Sequence, residues 1–350
     1  MTTTKTSFHP NLSSSSKTAI YKQLVNQLEY SIRNGTLKAG TRLPSMNELA
    51  DQAGISKETV KKAYGILGEK QLIAPQQGKG FFVADIHNGS RPKVLVIFDK
   101  LSIYKQLLYN SLAGSLGQDA ELTIVTHNQS LDLFEYYLDT YSGNYDYYVI
   151  TPHFPLDADS QKRAVKLISR IPNRQLIMLD RLLPGYSGKF GAVYQDFEDD
   201  IYQGLSQGLP GVRRGVDVRL RVITLPESLY GETIQKGIER FCTDFAIPLS
   251  FTSSVPDDIC KGDVFLLLNS QLDDGIVRLS RRIAGSGLTI GSEVRIISYN
   301  EFDINELVLG GLTTVSTDFR EMGRLAAEMI LTHDLRKVHC PFRMTRRRTF

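Results

Sequence analysis

The chain has 350 residues, 41% of them hydrophobic and 23% charged. That balance belongs to a soluble globular protein, and the length calls for two or three folding units. No apolar run reaches eighteen residues and the opening MTTTKTSFHPNLSSSSK has no apolar core. This excludes a signal peptide or spanning helix, so the expectation is a cytoplasmic protein with no membrane partner. Cys242, Cys260 and Cys340 fit no zinc or disulfide spacing, so they read as reduced packing residues and no metal is expected. The net charge of +3 is uneven: residues 1–83 carry 11 Lys/Arg against 5 Asp/Glu, and the remainder 30 against 33. Basic charge concentrated in a small N-terminal unit suits a module that meets a polyanion.

Residues 1–17, rich in Ser and Thr, are expected to be disordered. From Thr18, Ile20, Leu24, Leu28 and Ile32 recur every four residues, a helical stripe widened by Val25, and Gly35 suits the position past its end. In RLPSMNELADQAG, Ser45 and Glu48 fit a capping box over an inner face of Met46, Leu49, Ala50 and Ala53, ended by Gly54. Ser56 then caps SKETVKKAYGILGEK, whose Val60, Ala63, Tyr64 and Leu67 face inward while Lys57, Glu58, Lys61 and Lys62 face out. Two helices on a short turn, the second basic on its exposed side, follow the helix-turn-helix plan. QLIA and FFVA, separated by PQQGKG, read as a hairpin whose glycines let backbone approach DNA and whose Lys79 can meet a phosphate.

From IYKQL through QLIAPQQGKGFFV, about residues 18–84, the chain resembles the GntR-family winged helix, with the LPS-x-x-x-LA, S-x-x-TV-x-x-AY and G-x-G-F-F-V blocks at the family's spacings. The resemblance implies operator contacts from Asn47, Ser56, Lys57, Lys61, Gln77 and Gly78, with Arg42 adding a phosphate contact. The chain departs from the family's commonest pattern at Asn47, Lys57 and Lys61, where arginine is frequent. Lysine keeps the charge but loses bidentate reading of guanine.

Residues 85–92, DIHNGSRP, read as a linker to a domain over 93–350. There KVLVIF, ELTIV, YDYYVI, RQLIML, RLRVITL, DVFLLL and EVRIIS alternate with helical stretches such as YKQLLYNSLAGSL and YGETIQKGIERFC. That alternation means a doubly wound α/β architecture with ligands at the C-terminal strand ends. MLDRLLPGYSGKFGAVYQDFEDDIYQG, and above all LTTV followed by EMGRLAAEMIL, resemble LacI/GalR-type regulators and periplasmic sugar-binding proteins over about residues 92–350. The resemblance implies two lobes closing over a small ligand, with three chain crossings and effector contacts from Asp180, Asn269 and Asn300. An arginine frequent in that family three residues before a helix glycine is Ile234 here, before Gly237, with Gln235 or Lys236 as substitutes.

Other candidates follow strand ends: Ser102 and His153 as polar contacts, and Phe98, Tyr104, Phe154 and Tyr186 as aromatic walls. The basic tail RMTRRR is expected in a last strand. The fold expected is thus an N-terminal winged helix-turn-helix (α+β) and a C-terminal α/β, two-lobed, periplasmic-binding-protein-like sensor. The function expected is a regulator, foremost a repressor, of carbohydrate genes, binding palindromic double-stranded DNA as a homodimer under control of a sugar or sugar phosphate. A ligand-responsive activator shares that architecture. A Rossmann-like enzyme is the competing class, but KVLVIF is followed by DKLSIYKQ without the glycines of a dinucleotide site. No catalytic residue and no cofactor are expected.

Overall fold

The computed structural model describes residues 8, 10, 12–13, 18–33, 36–70, 72–76, 78–84, 91–209, 218–224, 228–268 and 274–350. The chain divides into two compact units, Met1–Arg91 and Pro92–Phe350. Gly35, Gln77, Asn269 and most of the 85–92 segment lie outside the described residues.

In the first unit, α1 (Ile20–Arg33) buries Leu24, Val25, Leu28 and Ile32, the four-residue stripe of the sequence. α2 (Met46–Ala53) starts at a complete capping box: Glu48 N–H donates to the Ser45 hydroxyl at 3.2 Å and Ser45 N–H to the Glu48 carboxylate at 2.8 Å. The motif satisfies two backbone donors that would otherwise be orphaned. α2 ends where Gly54 turns left-handed at φ 63°. α3 (Lys57–Glu69) is capped by Ser56 and buries Val60, Ala63, Tyr64 and Leu67. Each large apolar side chain so removed from water contributes about 2 kcal/mol. Tyr64 also donates its hydroxyl to the Pro44 carbonyl at 2.8 Å, tying α3 to the entry of α2. The hairpin follows as β1 (Ile73–Gln76) and β2 (Gly80–Val83), antiparallel. β1 therefore sits two residues nearer the tip than QLIA suggested, with Pro75 in this two-stranded ribbon, where a missing N–H is tolerated. Of the segment before Thr18, Phe8 and Leu12 pack on the core and Ser13 N–H donates to Gln23.

Among its described residues the second unit holds two six-stranded sheets. The first lobe's sheet runs β4 (Glu121–Thr126), β3 (Lys93–Phe98), β5 (Tyr147–Ile150), β6 (Leu176–Asp180), β7 (Gly191–Tyr194), β13 (Lys337–His339), all parallel. KVLVIF shows why the run must be apolar throughout. Val94, Val96 and Phe98 pack on one side with α4 (Ile103–Leu116) and α10 (Phe319–Thr332), while Leu95 and Ile97 pack on the other with α5 (Leu131–Tyr141) and α6 (Ala158–Ile168).

The second lobe repeats the order as β9 (Leu249–Thr252), β8 (Arg219–Ile223), β10 (Asp263–Leu267), β11 (Arg295–Tyr299), β12 (Thr313–Thr317), β14 (Phe342–Thr345). Only β14, which begins the basic tail, runs antiparallel. α7 (Phe197–Ser206) and α8 (Gly231–Asp244) cover one face and α9 (Asp274–Gly285) the other. Gly237 lets α7 and α8 meet: a Cβ there would stand 2.2 Å from the Glu198 carbonyl oxygen. The chain passes between lobes three times, after β7, after β12 and after β13.

Candidate functional site

In the first unit the basic side chains stand away from the core. Asn47, Ser56, Lys57, Lys61, Gly78, Lys79 and Arg42 are all exposed. Lys57 and Lys61, four apart on α3, share one face. Among the described residues Lys61 approaches only Glu58, at 3.8 Å, with both side chains mostly in water. Lys62 behaves differently, its ammonium 4.0 Å from the centre of the Tyr21 ring on α1. Arg42 lies against the wing, bridged to Phe82 and beside Gly80. The Ser56 hydroxyl already accepts the Thr59 N–H at 3.2 Å.

In the second unit, a cleft of about 580 Å³ opens between the C-terminal strand ends of the two lobes. Ser102, Tyr104, His153, Asp180 and Asn300 all line it. Asp180 and Asn300 occupy matching places, at or just after the fourth strands of their sheets, β6 and β11. Both are left-handed, at φ 75° and 73°. Asp and Asn tolerate that conformation better than most residues, and it turns the chain sharply at the cleft wall.

The charge behind the floor is the feature the sequence concealed. Lys105, in the first turn of α4, has no exposed surface. Its ammonium pairs with Asp180 and stands 3.4 Å from Asp99. His153 Nε2 is 2.7 Å from Asp180 and its Nδ1 is 2.6 Å from the Tyr230 hydroxyl. Because a carboxylate only accepts, the network assigns the proton to Nε2 and leaves Nδ1 to accept from Tyr230. Arg181 in turn donates to that phenol oxygen at 3.2 Å. The other Asp180 oxygen accepts from the Gln195 side-chain amide. Burial alone would push the Asp180 carboxyl up, but the Lys105 ammonium and the hydrogen bonds from His153 and Lys105 outweigh it and hold it well below the usual carboxylate range. Burial likewise opposes the Lys105 ammonium, and Asp180 and Asp99 outweigh it, leaving its pKa raised.

Three expected aromatic walls are elsewhere. Phe98 and Phe154 are fully buried, the latter stacked on His127 with centroids 4.6 Å apart. Tyr186 packs on Phe190 and donates to Asn173. A position just past a strand does not fix which side of the sheet its ring enters. The cleft's aromatic side comes instead from Phe197 and Tyr230, parallel at 4.3 Å, with Tyr299, Phe302 and Phe319. Ile234 lines the cleft, but neither Gln235 nor Lys236 does, and Lys236 is exposed, so neither replaces the arginine. A signal for Lys105 did exist. It stands three, seven and eleven residues before Leu108, Leu112 and Leu116, on the buried stripe of its helix, where a lysine needs acidic partners.

A winged helix followed by a two-lobed, strand-end cleft defines a class of one-chain regulators, and comparison with known proteins agrees. Residues 20–83 match bacterial regulatory proteins of the gntR family, and residues 271–346 match the periplasmic binding protein-like domain. The HTH-type transcriptional repressor YtrA of Bacillus subtilis is 30% identical over 93 residues, 27% of this chain and 68% of YtrA. The HTH-type transcriptional repressor NagR of the same organism is 38% identical over 84 residues, 24% of this chain and 32% of NagR. The match thus spans less than a third of NagR's length. In fold, the Escherichia coli transcriptional repressor ascG superposes with a TM-score of 0.57 at 16% identity, over 75% of this chain and 99% of that one. The chain belongs to the GntR family, and its second unit has the periplasmic-binding-protein-like fold.

Proposed function

We propose that this chain is a cytoplasmic repressor of carbohydrate genes, binding a palindromic operator as a homodimer and answering to a sugar in the cleft. The observation that carries the reading is Asp180, an ionised carboxylate in a strand-end cleft of about 580 Å³, on the chain that holds the winged helix. Vicinal hydroxyls donate in pairs to a fixed carboxylate, and flat aromatic side chains cover the apolar face of a sugar ring. Ser102, Tyr104, His153, Asp180, Asn269 and Asn300 are the proposed effector residues. Asn269 is included from the sequence alone. Between a free sugar and a sugar phosphate, the lining carboxylates of Asp99 and Asp180 favour the uncharged one. The Lys105 ammonium is already neutralised by the same two groups.

Arg42, Asn47, Ser56, Lys57, Lys61, Gln77, Gly78 and Lys79 are the proposed operator contacts, and residues 85–92 the linker carrying the signal. The names of YtrA and NagR as repressors support the sign of the response. The test is calorimetry on the full chain with pentoses, hexoses and their phosphates. An unphosphorylated sugar should release heat and change operator affinity in a gel shift, and silence from every sugar overturns the reading. Operator affinity should also fall roughly a thousandfold between 50 and 200 mM salt if a dimer neutralises about six phosphates. A flat profile removes α3 and the wing as the DNA face.

A further inference from the structure

Gln195 stands where the chain first leaves the first lobe, one residue past β7, and is nearly fully buried. Its backbone N–H donates to the Asp180 carbonyl at 3.2 Å and its side-chain amide to the Asp180 carboxylate. Its side-chain carbonyl accepts the Thr317 hydroxyl at 2.7 Å. Thr317 ends β12 at the second crossing, does not line the cleft, and is 122 residues away in sequence. The next residue, Asp318, donates its N–H to the Pro341 carbonyl at 2.9 Å, and Cys340 donates to Tyr194 at 2.7 Å. All three crossings are thereby joined by hydrogen bonds. On the far side, Asp180 reaches the second lobe again through His153 and Tyr230.

From this geometry we propose that Gln195 is the positioning residue that couples Asp180, on the cleft floor, to the inter-lobe crossing at Thr317. The other Asp180 oxygen is occupied by Lys105 and His153, so a ligand hydroxyl reaching this carboxylate competes with the Gln195 amide. A buried amide does not stay half satisfied at low cost. Its donor end and its acceptor end turn together, so displacement at Asp180 withdraws the acceptor from Thr317. Occupancy of the cleft is converted into a change at the crossing, where the lobes pivot.

The inference rests on the reading of the cleft as an effector site. Its test does not, because exchange is measured on the full chain with no small molecule added, apart from the sugar screen. Amide hydrogen exchange is followed residue by residue in wild type, Thr317→Val and Thr317→Ser. Valine keeps the shape and loses the hydroxyl, whereas serine keeps the hydroxyl and loses the methyl. Thr317→Val should speed exchange of the Gln195 amide at least threefold, and Thr317→Ser should not. In the other direction, Gln195→Leu should speed exchange at Asp318 at least threefold. If that variant does not fold, the Thr317 pair decides alone. A Gln195 amide less than threefold faster in Thr317→Val overturns the coupling. An equal acceleration in Thr317→Ser also does so, because it assigns the effect to packing.

Discussion

Lys61 and Lys105 both sit within the first two turns of their helices, yet the Lys61 side chain is 64% exposed and Lys105 has no exposed surface. On the outer side of α3, Lys61 keeps its water and stays loosely paired. That arrangement suits a polyanion, which is met by exchanging hydration and counterions over many weak contacts. In the second unit the buried Lys105 ammonium is locked between Asp180 and Asp99, and the carboxylate it fixes lines the cleft. A small neutral ligand offers few contacts, so each must be placed in advance. The same residue type thus serves as a mobile charge in one unit and as a rigid brace in the other.

The largest effect that would break this contrast is at the brace. Lys105→Met leaves two carboxylates facing each other without their cation, and should cost about 3–5 kcal/mol in urea unfolding of the second unit. A loss under about 1 kcal/mol would mean that Lys105 is as dispensable as a surface lysine. Next comes pH. His127 is fully buried beside the same network, and burial pushes its pKa down to about 4. Since the folded value lies below the unfolded one, near 6.5, the neutral ring's contribution is complete above about pH 6.5. It is lost as the pH falls toward 4, about 3 kcal/mol in all. Asp180, whose carboxyl is held below its unfolded value, adds slope of the same sign only below about pH 5, so His127 alone is read between about 6.5 and 5. Replacing His127 by Phe should flatten the stability profile there, and an unchanged slope would assign it to other groups. The smallest effect is at the surface. Lys61→Ala should shift stability by no more than about 0.5 kcal/mol while reducing the salt slope of operator binding by about one. A Lys61→Ala protein that unfolds more easily but binds DNA normally would reverse the contrast.

The same contrast explains what the sequence made legible. The winged helix is written locally: Ser45 with Glu48, Gly54, Ser56 and the α3 stripe are each decided within a few residues. Strand-end candidates were legible for a related reason, since an apolar run fixes where its polar successor emerges, and five of them line the cleft. The brace was not, because its partners are remote. Lys105 meets Asp180 across 75 residues, and Gln195 meets Thr317 across 122. Tyr104 apart, aromatic positions failed in both directions: Phe154 went to the core beside His127, while Tyr230 and Phe197 entered the cleft from helix starts of the second lobe. Which face a ring takes is settled by packing between lobes that a single stretch of chain does not record.

The three crossings bear on the order in which the protein is made. The first lobe's sheet is completed by β13 and its outer layer by α10, both within the last 32 residues of the chain. The winged helix, by contrast, is closed once Val83 has left the ribosome. On a growing chain the DNA-reading module can therefore mature while the sensing cleft still lacks a wall, and neither lobe can be expressed as one uninterrupted fragment. A chain still being made therefore completes its winged helix before the cleft has all its walls.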